Sequence, residues 1–344
     1  MSEELGRNRG GTFFAEDFCI RPWRPGDEAA ILDAFNRAFP TRRTLPEWRW
    51  IYRDSPDGAE IMLCLAPNGE VAAHYAATIH RALYGEVEVR VGMMRDTFTL
   101  PAYRGVLCGR RALISTTYDA FVSMWTGPGR MLMGYGFPNH RHYRLGRLSM
   151  QYRPFSVWWR GQCRLVSERK TAVHRPASSP LTIREVTCFD NAFDRLWARD
   201  IARYRFTLIR DSRYLNWRFV DAPHRSYWRF ACFSFLRPEL QGYLIFHPHN
   251  ESAFLVDFHL PSQPEAARSF WREVSARLWA RGIRRIEGWC AAATPDVSAL
   301  LELGFTPLPR DEQLCPVYRS FDPQLDPDWA ENHFHFTMGD SDLV

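Results

Sequence analysis

A chain of 344 residues with 46% hydrophobic content exceeds one small domain and can build two packed cores of about 150 residues each. Its net charge of +5 and pI near 8.8 are mild, and acidic and basic residues interleave, so the charge balance does not point to a nucleic-acid partner. Lys170 is the only lysine among 44 basic residues, which argues against Schiff-base or lysine-nucleophile chemistry, because arginine stays protonated.

Residues 1–11 lack the apolar run of a signal peptide, and no stretch approaches the length needed to span a bilayer. A soluble, cytoplasmic chain without membrane insertion is expected. The eight cysteines are spread singly with no Cys-x-x-Cys pair, so reduced, packed thiols are expected. His247/His249 and His333/His335 stand apart from partners at metal-ligand spacing, and no metal is expected.

In chain order, a strand at 18–22 leads through the turn Pro25-Gly26-Asp27 into an amphipathic helix from about Glu28 to Phe39. Strands near 61–66 and 71–79 are separated by the hairpin signal Pro67-Asn68-Gly69, and another runs near 87–99. That strand closes on Asp96-Thr97-Phe98-Thr99-Leu100-Pro101-Ala102-Tyr103-Arg104-Gly105-Val106-Leu107-Cys108-Gly109-Arg110-Arg111, which reads as a strand turning directly into a helix start rich in arginine and glycine. The first turn of a helix carries unpaired N–H groups, glycines let a phosphate approach them, and Arg104, Arg110 and Arg111 add positive charge. A phosphate-bearing cofactor fits this layout, against the ordinary alternative of a tight turn. The spacing of Leu107, Ala112, Leu113, Ile114, Tyr118, Phe121 and Val122 predicts the buried face of that helix. The turn Gly127-Pro128-Gly129 and a strand at 130–137 complete a strand–helix–strand crossover.

The segment Pro101-Ala102-Tyr103-Arg104-Gly105-Val106-Leu107-Cys108-Gly109 resembles the phosphate loop of the GNAT acyl-CoA-dependent N-acyltransferases, with Leu107 where that family has its middle glycine. Asn139 followed by Tyr143-Arg144-Leu145-Gly146 is similar to the family's Asn…Tyr-x-x-Gly segment, with Arg147 in place of the usual aromatic. The resemblance implies an acetyl-CoA or another acyl-CoA cofactor held by Phe98, Thr99, Arg104, Gly105, Val106, Leu107, Cys108, Gly109, Arg110 and Asn139. It implies Tyr143 as general acid and a backbone N–H near Phe98 or Thr99 polarising the thioester.

Trp50-Ile51-Tyr52-Arg53-Asp54-Ser55-Pro56 recurs as Trp217-Arg218-Phe219-Val220-Asp221-Ala222-Pro223. Each copy is followed by a strand, a glycine turn, a strand and a later strand closing on proline, from Asp96 to Pro101 and from Asp257 to Pro261. Tandem copies of one fold are expected. The second copy continues Ser262-Gln263-Pro264-Glu265, without the arginine–glycine loop. Together with the repeat, the resemblance implies a mixed α/β fold class: two tandem GNAT-like domains, each a mostly antiparallel twisted sheet with a central parallel splay flanked by helices. The expected division is 1–160 with the acyl-CoA loop, a linker at 161–180, a degenerate second domain at 181–320 and a tail at 321–344. The aromatics Trp329, Phe334 and Phe336 suggest that the tail packs on a domain rather than standing in solvent.

Acyl transfer to an amine needs the amine deprotonated, the carbonyl polarised and the leaving thiolate protonated. Tyr143 is the candidate acid, against an ordinary helix aromatic. Asp96 is the candidate base or water-ordering carboxylate, against a carboxylate held by an arginine. His74 and His140 are weaker base candidates, Asn139 doubles as a helix cap, and Cys108 reads as a packing residue. The expectation is an N-acyltransferase, specifically an N-acetyltransferase, acting on a small-molecule amine such as an amino sugar or polysaccharide-related acceptor. A non-catalytic acyl-CoA-binding protein and an aminoacyl-tRNA-dependent transferase of related fold are the alternatives. Oligomeric state is open.

Overall fold

The computed structural model describes residues 13–15, 17–106, 109–166, 181–236, 238–292 and 295–343, with backbone alone at 13–15, Arg110 and Pro295. In chain order the elements are β1 (Phe13–Ala15), β2 (Phe18–Pro22), α1 (Glu28–Ala38), α2 (Leu45–Trp48), β3 (Ala59–Leu65), β4 (Val71–Tyr84), β5 (Val87–Thr99), α3 (Leu113–Trp125), β6 (Met131–Gly136), α4 (His140–Ser149) and β7 (Arg153–Pro154). There follow β8 (Trp158–Arg164), β9 (Leu181–Glu185), α5 (Asn191–Asp200), β10 (Phe206–Leu208), α6 (Ser212–Phe219), β11 (Trp228–Ser234), β12 (Leu240–His249), β13 (Ser252–His259) and α7 (Pro264–Ala280). The chain ends with β14 (Arg285–Ala291), α8 (Pro295–Glu302), β15 (Thr306–Pro307), β16 (Val317–Ser320), α9 (Pro327–His333) and β17 (Phe334–His335).

Two compact units result. Unit 1 takes Met1–Ala82, Val87–Phe155 and Gln313–Trp329; unit 2 takes Leu83–Glu86, Ser156–Glu312 and Ala330–Val344. This differs from contiguous domains at 1–160 and 181–320 with a separate tail. The physical reason lies in two strands. In unit 1, β16 pairs antiparallel with β6 from Val317↔Gly136 to Ser320↔Met133, so a strand late in the sequence belongs to the early sheet. In unit 2, β8 pairs antiparallel with β14 from Arg285↔Arg164 to Ala291↔Trp158, so the first residues of the expected linker, 161–164, complete a strand of the second sheet. Residues 167–180 of that expected linker lie outside the described residues.

Unit 1 has the strand order β1-β2-β3-β4-β5-β6-β16-β7, and unit 2 the order β15-β8-β14-β13-β12-β11-β9. Both are mostly antiparallel with a parallel pair at the centre: β5 with β6, and β13 with β14. A parallel pair needs a helical crossover, which α3 and α7 supply. On β4, Tyr75, Ala77 and Ile79 alternate toward one face and pack with Leu113, Ile114, Tyr118 and Phe121 of α3, which recur at helical spacing. In unit 2, Leu244, Phe246, Leu255 and Ile286 pack with Phe270, Trp271, Val274 and Leu278 of α7. Each buried Leu, Ile, Val or Phe side chain of these sets contributes about 1.5–3 kcal/mol.

Among the described residues no helix is long and apolar enough to cross a membrane. Cys64, Cys163, Cys232 and Cys290 are buried free thiols, whereas Cys188 is exposed.

Candidate functional site

The β5–β6 ladder runs from Arg90↔Met131 to Met93↔Tyr135 and stops there, while β5 continues to Thr99. Past this point the two strands part. The chain then leaves β5 through a 3-10 turn at Pro101–Tyr103, passes Gly105 and makes a second 3-10 turn at Gly109–Arg111 before α3 begins at Leu113. The helix starts later than the sequence suggested, because Gly105 (φ +84°) and Gly109 (φ +62°) are left-handed and interrupt a right-handed helix. Arg104 is exposed, and its Nε donates to the Thr99 carbonyl at 3.0 Å, bracing the loop back onto its strand. Gly105 and Val106 are exposed beside it, with Val106 at 51%. Leu107, Cys108 and the Arg110 side chain lie outside the described residues. Among the described residues no side chain caps the first turn of α3, where Ala112 occupies the N-cap.

Asp96 sits on β5 with φ +53°, a conformation uncommon for a non-glycine residue in a strand. Arg43 forms an ion pair with its carboxylate, Nη2 lying 3.1 Å from Oδ1, and the Tyr52 hydroxyl donates to Oδ2. Burial alone would raise this carboxyl, but the guanidinium charges of Arg43 and Arg95 and the hydrogen bonds from Arg43 and Tyr52 outweigh it and hold it at about 2. A carboxylate that stays ionised and is engaged by two donors is poorly suited to collect a proton near neutrality. The geometry thus favours the arginine-held alternative for Asp96 over the base.

His74, on β4, is fully buried and bridges the same place. Its Nδ1 lies 2.8 Å from the Asp96 carbonyl oxygen, and its ring stacks on Phe98 with centroids 5.3 Å apart and planes at 4°. A carbonyl only accepts, so Nδ1 carries the proton and Nε2 keeps a lone pair. That Nε2 has no hydrogen-bond partner among the described residues. Burial lowers the imidazole to about 4, so it is neutral near pH 7.

Asn139 is the N-cap of α4, its side chain accepting from the His142 N–H at 2.9 Å. Its side-chain oxygen is therefore engaged by the helix rather than by Phe98 or the loop. Tyr143 is half-buried one turn along, with the His140 ring centroid 6.5 Å away and the Arg147 guanidinium 5.8 Å over its own ring. Among the described residues, no hydrogen bond joins Tyr143 to Asp96. Phe98, Asp96 and His74 are thus brought together directly, whereas Tyr143 and Asn139 stand on a separate element of the same unit.

The residues that hold Asp96 escaped the sequence reading, though a signal was present. Arg43 precedes Trp50 by the same interval as Arg210 precedes Trp217, and in each copy the next residue caps a helix. Thr44 accepts from the Glu47 N–H at 3.4 Å, and Asp211 accepts from the Tyr214 N–H at 2.8 Å. In unit 2, Arg210 Nε lies 3.2 Å from both oxygens of Asp257, so the arginine–aspartate pair is repeated with the fold.

No family model matches the chain, and no curated protein matches its sequence. Solved structures do match. A probable N-acyltransferase from Enterococcus faecalis superposes with TM-score 0.63 at 12% identity, covering 88% of this chain and 73% of that one. A GCN5-related N-acetyltransferase from Kribbella flavida gives 0.61 at 15% identity, covering 89% and 71%. The Saccharomyces cerevisiae N-myristoyltransferase with bound myristoyl-CoA gives 0.55 at 10% identity, covering 95% and 88%. The chain has the fold of these acyltransferases, built from two units that each carry a parallel splay.

Proposed function

We propose that this protein is an acyl-CoA-dependent N-acyltransferase with its acyl-CoA site in unit 1. The observation that carries the reading is the parting of β5 and β6 beside the turn formed by Arg104, Gly105 and Gly109. Strand edges released from a ladder present N–H and C=O groups to which a pantetheine amide can pair. The first turn of α3, without a side-chain cap among the described residues, offers N–H groups to a pyrophosphate, the left-handed glycines leave room for its approach, and Arg104 adds charge. The N–H groups near Phe98 and Thr99 would polarise the thioester carbonyl.

His74 lies beside Phe98 with an Nε2 lone pair that has no partner among the described residues, but burial holds its imidazole at about 4, so like Asp96 it is a weak base near neutrality and serves to line the thioester end of the site. Asp96 fixes the imidazole tautomer through its backbone carbonyl and is itself fixed by Arg43 and Tyr52. Tyr143 would return a proton to the departing thiolate. The acceptor is a small-molecule amine, with amino sugars the first class to test, and the cytoplasm the expected setting.

Isothermal titration with CoA, acetyl-CoA and longer acyl-CoAs tests the cofactor site, and absence of heat with all of them would sink the reading. Acylation of an amino-sugar panel, followed by thiol release, tests the transfer. Tight acyl-CoA binding without acylation of any amine would favour the non-catalytic alternative. Loss of activity on ribonuclease treatment would favour the aminoacyl-tRNA-dependent one.

A further inference from the structure

We propose that the splay of unit 2 is a peptide-binding groove whose resident ligand is the C-terminal segment of this chain, lodged where a cofactor would otherwise enter. The β13–β14 ladder runs only from Ser252↔Arg285 to Phe254↔Glu287, and both strands continue beyond it, to His259 and Ala291. Residues 336–340 lie in the gap. On the β14 side, Thr337 forms an antiparallel bridge with Cys290, and the Ala291 N–H donates to the Phe336 carbonyl at 2.9 Å. On the β13 side, the Thr337 hydroxyl donates to Asp257 Oδ1 at 3.0 Å. A Cβ on Gly339 would stand 2.9 Å from the Val256 carbonyl oxygen and 2.8 Å from Phe219 Cζ, so the segment is pressed against both.

The segment is recognised by charge as well as by backbone. Asp340 pairs with Arg210 at 2.5 Å and accepts from the Tyr214 hydroxyl at 3.0 Å, both side chains of the ion pair being almost wholly buried. Arg210 therefore serves two carboxylates, its partner Asp257 within the groove and Asp340 from the segment. Arg218 donates from Nε to the Gly339 carbonyl at 2.9 Å and from Nη2 to the Ser341 carbonyl at 3.0 Å. A short extended stretch at Phe336–Thr337 that leads into a Thr-x-x-Asp 3-10 turn is thus the ligand class the groove selects, through a backbone bridge on one side and arginine clamps on the other. The absence of an arginine–glycine loop after Pro261 agrees with a site that takes peptide rather than a phosphate-bearing cofactor.

Hydrogen exchange on the full-length protein tests the groove independently of the acyl-CoA reading. The amides of Ala291 and of residues 336–341 are expected to exchange only with unfolding of unit 2, and the Asp340→Asn chain to show them at least tenfold faster. The Asp340→Glu chain is expected to regain most of the protection. Native mass spectrometry with acetyl-CoA is expected to show no second equivalent per chain. Unprotected amides in the wild-type segment, or uptake of two equivalents, would overturn the inference. Zero equivalents with a protected segment would count against the proposed function while upholding the groove.

Discussion

The two splays have one geometry and two fates. In unit 1 the central parallel ladder stops at Met93↔Tyr135 beside a turn of arginine and left-handed glycine. In unit 2 it stops at Phe254↔Glu287, and the chain's own residues 336–340 fill the gap. Both keep an arginine seven residues ahead of a buried tryptophan, paired with an aspartate on the strand before the crossover helix. The repeated pair is therefore part of the scaffold, since it persists where the cofactor-type loop is missing. What separates the units is what reaches the gap: a loop suited to phosphate in one, a peptide carrying its own carboxylate in the other.

The largest effect expected from breaking this comparison is at Arg210. Replacing it with methionine leaves Asp257 and Asp340 buried without their cation, and about 3–5 kcal/mol should be lost in urea denaturation, against a smaller loss for Arg43→Met beside Asp96. Equal losses would mean that the tail contributes nothing to the second cluster.

Acid tests the unit 1 cluster next. The His74 imidazole lies near 4 when folded and near its ordinary 6.5 when unfolded, so the unfolded state binds the proton first as pH falls. Its contribution is complete above about pH 6.5 and is lost on descent through about pH 4, up to about 3 kcal/mol. Asp96, held at about 2, keeps its contribution until the pH drops below the ordinary carboxylate range. Urea midpoints measured from pH 7.5 to 4.5 should fall less steeply for His74→Gln than for the wild type.

Tyr143→Phe should slow acyl transfer by about 100-fold while leaving acyl-CoA affinity unchanged, as befits an acid that acts only on the leaving thiolate. A full rate in single-turnover kinetics would remove it from the mechanism. Gly339→Ala should cost about 1–3 kcal/mol by overpacking against Phe219 and Val256, with acyl-CoA binding intact. The smallest effect is at the exposed Arg104, where alanine should weaken acyl-CoA binding about five- to tenfold, roughly the worth of one partly screened charged contact, read by calorimetry at two salt concentrations.

Much of unit 1 was legible in order along the chain. The strand closing on Pro101, the hairpin at Asn68-Gly69 and the buried face of α3 follow from alternation, turn chemistry and helical spacing, all of which are local. The tryptophan repeat announced the second unit and the missing loop within it. The strand exchange was not legible, because β8 and β16 look like ordinary short strands whose partners lie far along the chain. The same limit hid Arg43 behind Asp96: an aspartate among many arginines does not name the one that holds it.

By itself, then, the sequence determined the local elements, the duplication and the single arginine–glycine loop, since these depend on residue type and near spacing. The tertiary structure alone decided which strands close each sheet, that Asp96 is clamped while His74 keeps a buried lone pair, and that residues 336–340 enter the second splay. Those outcomes depend on non-local strand pairing and on which charges share a buried space, and neither is encoded in any one window of the chain.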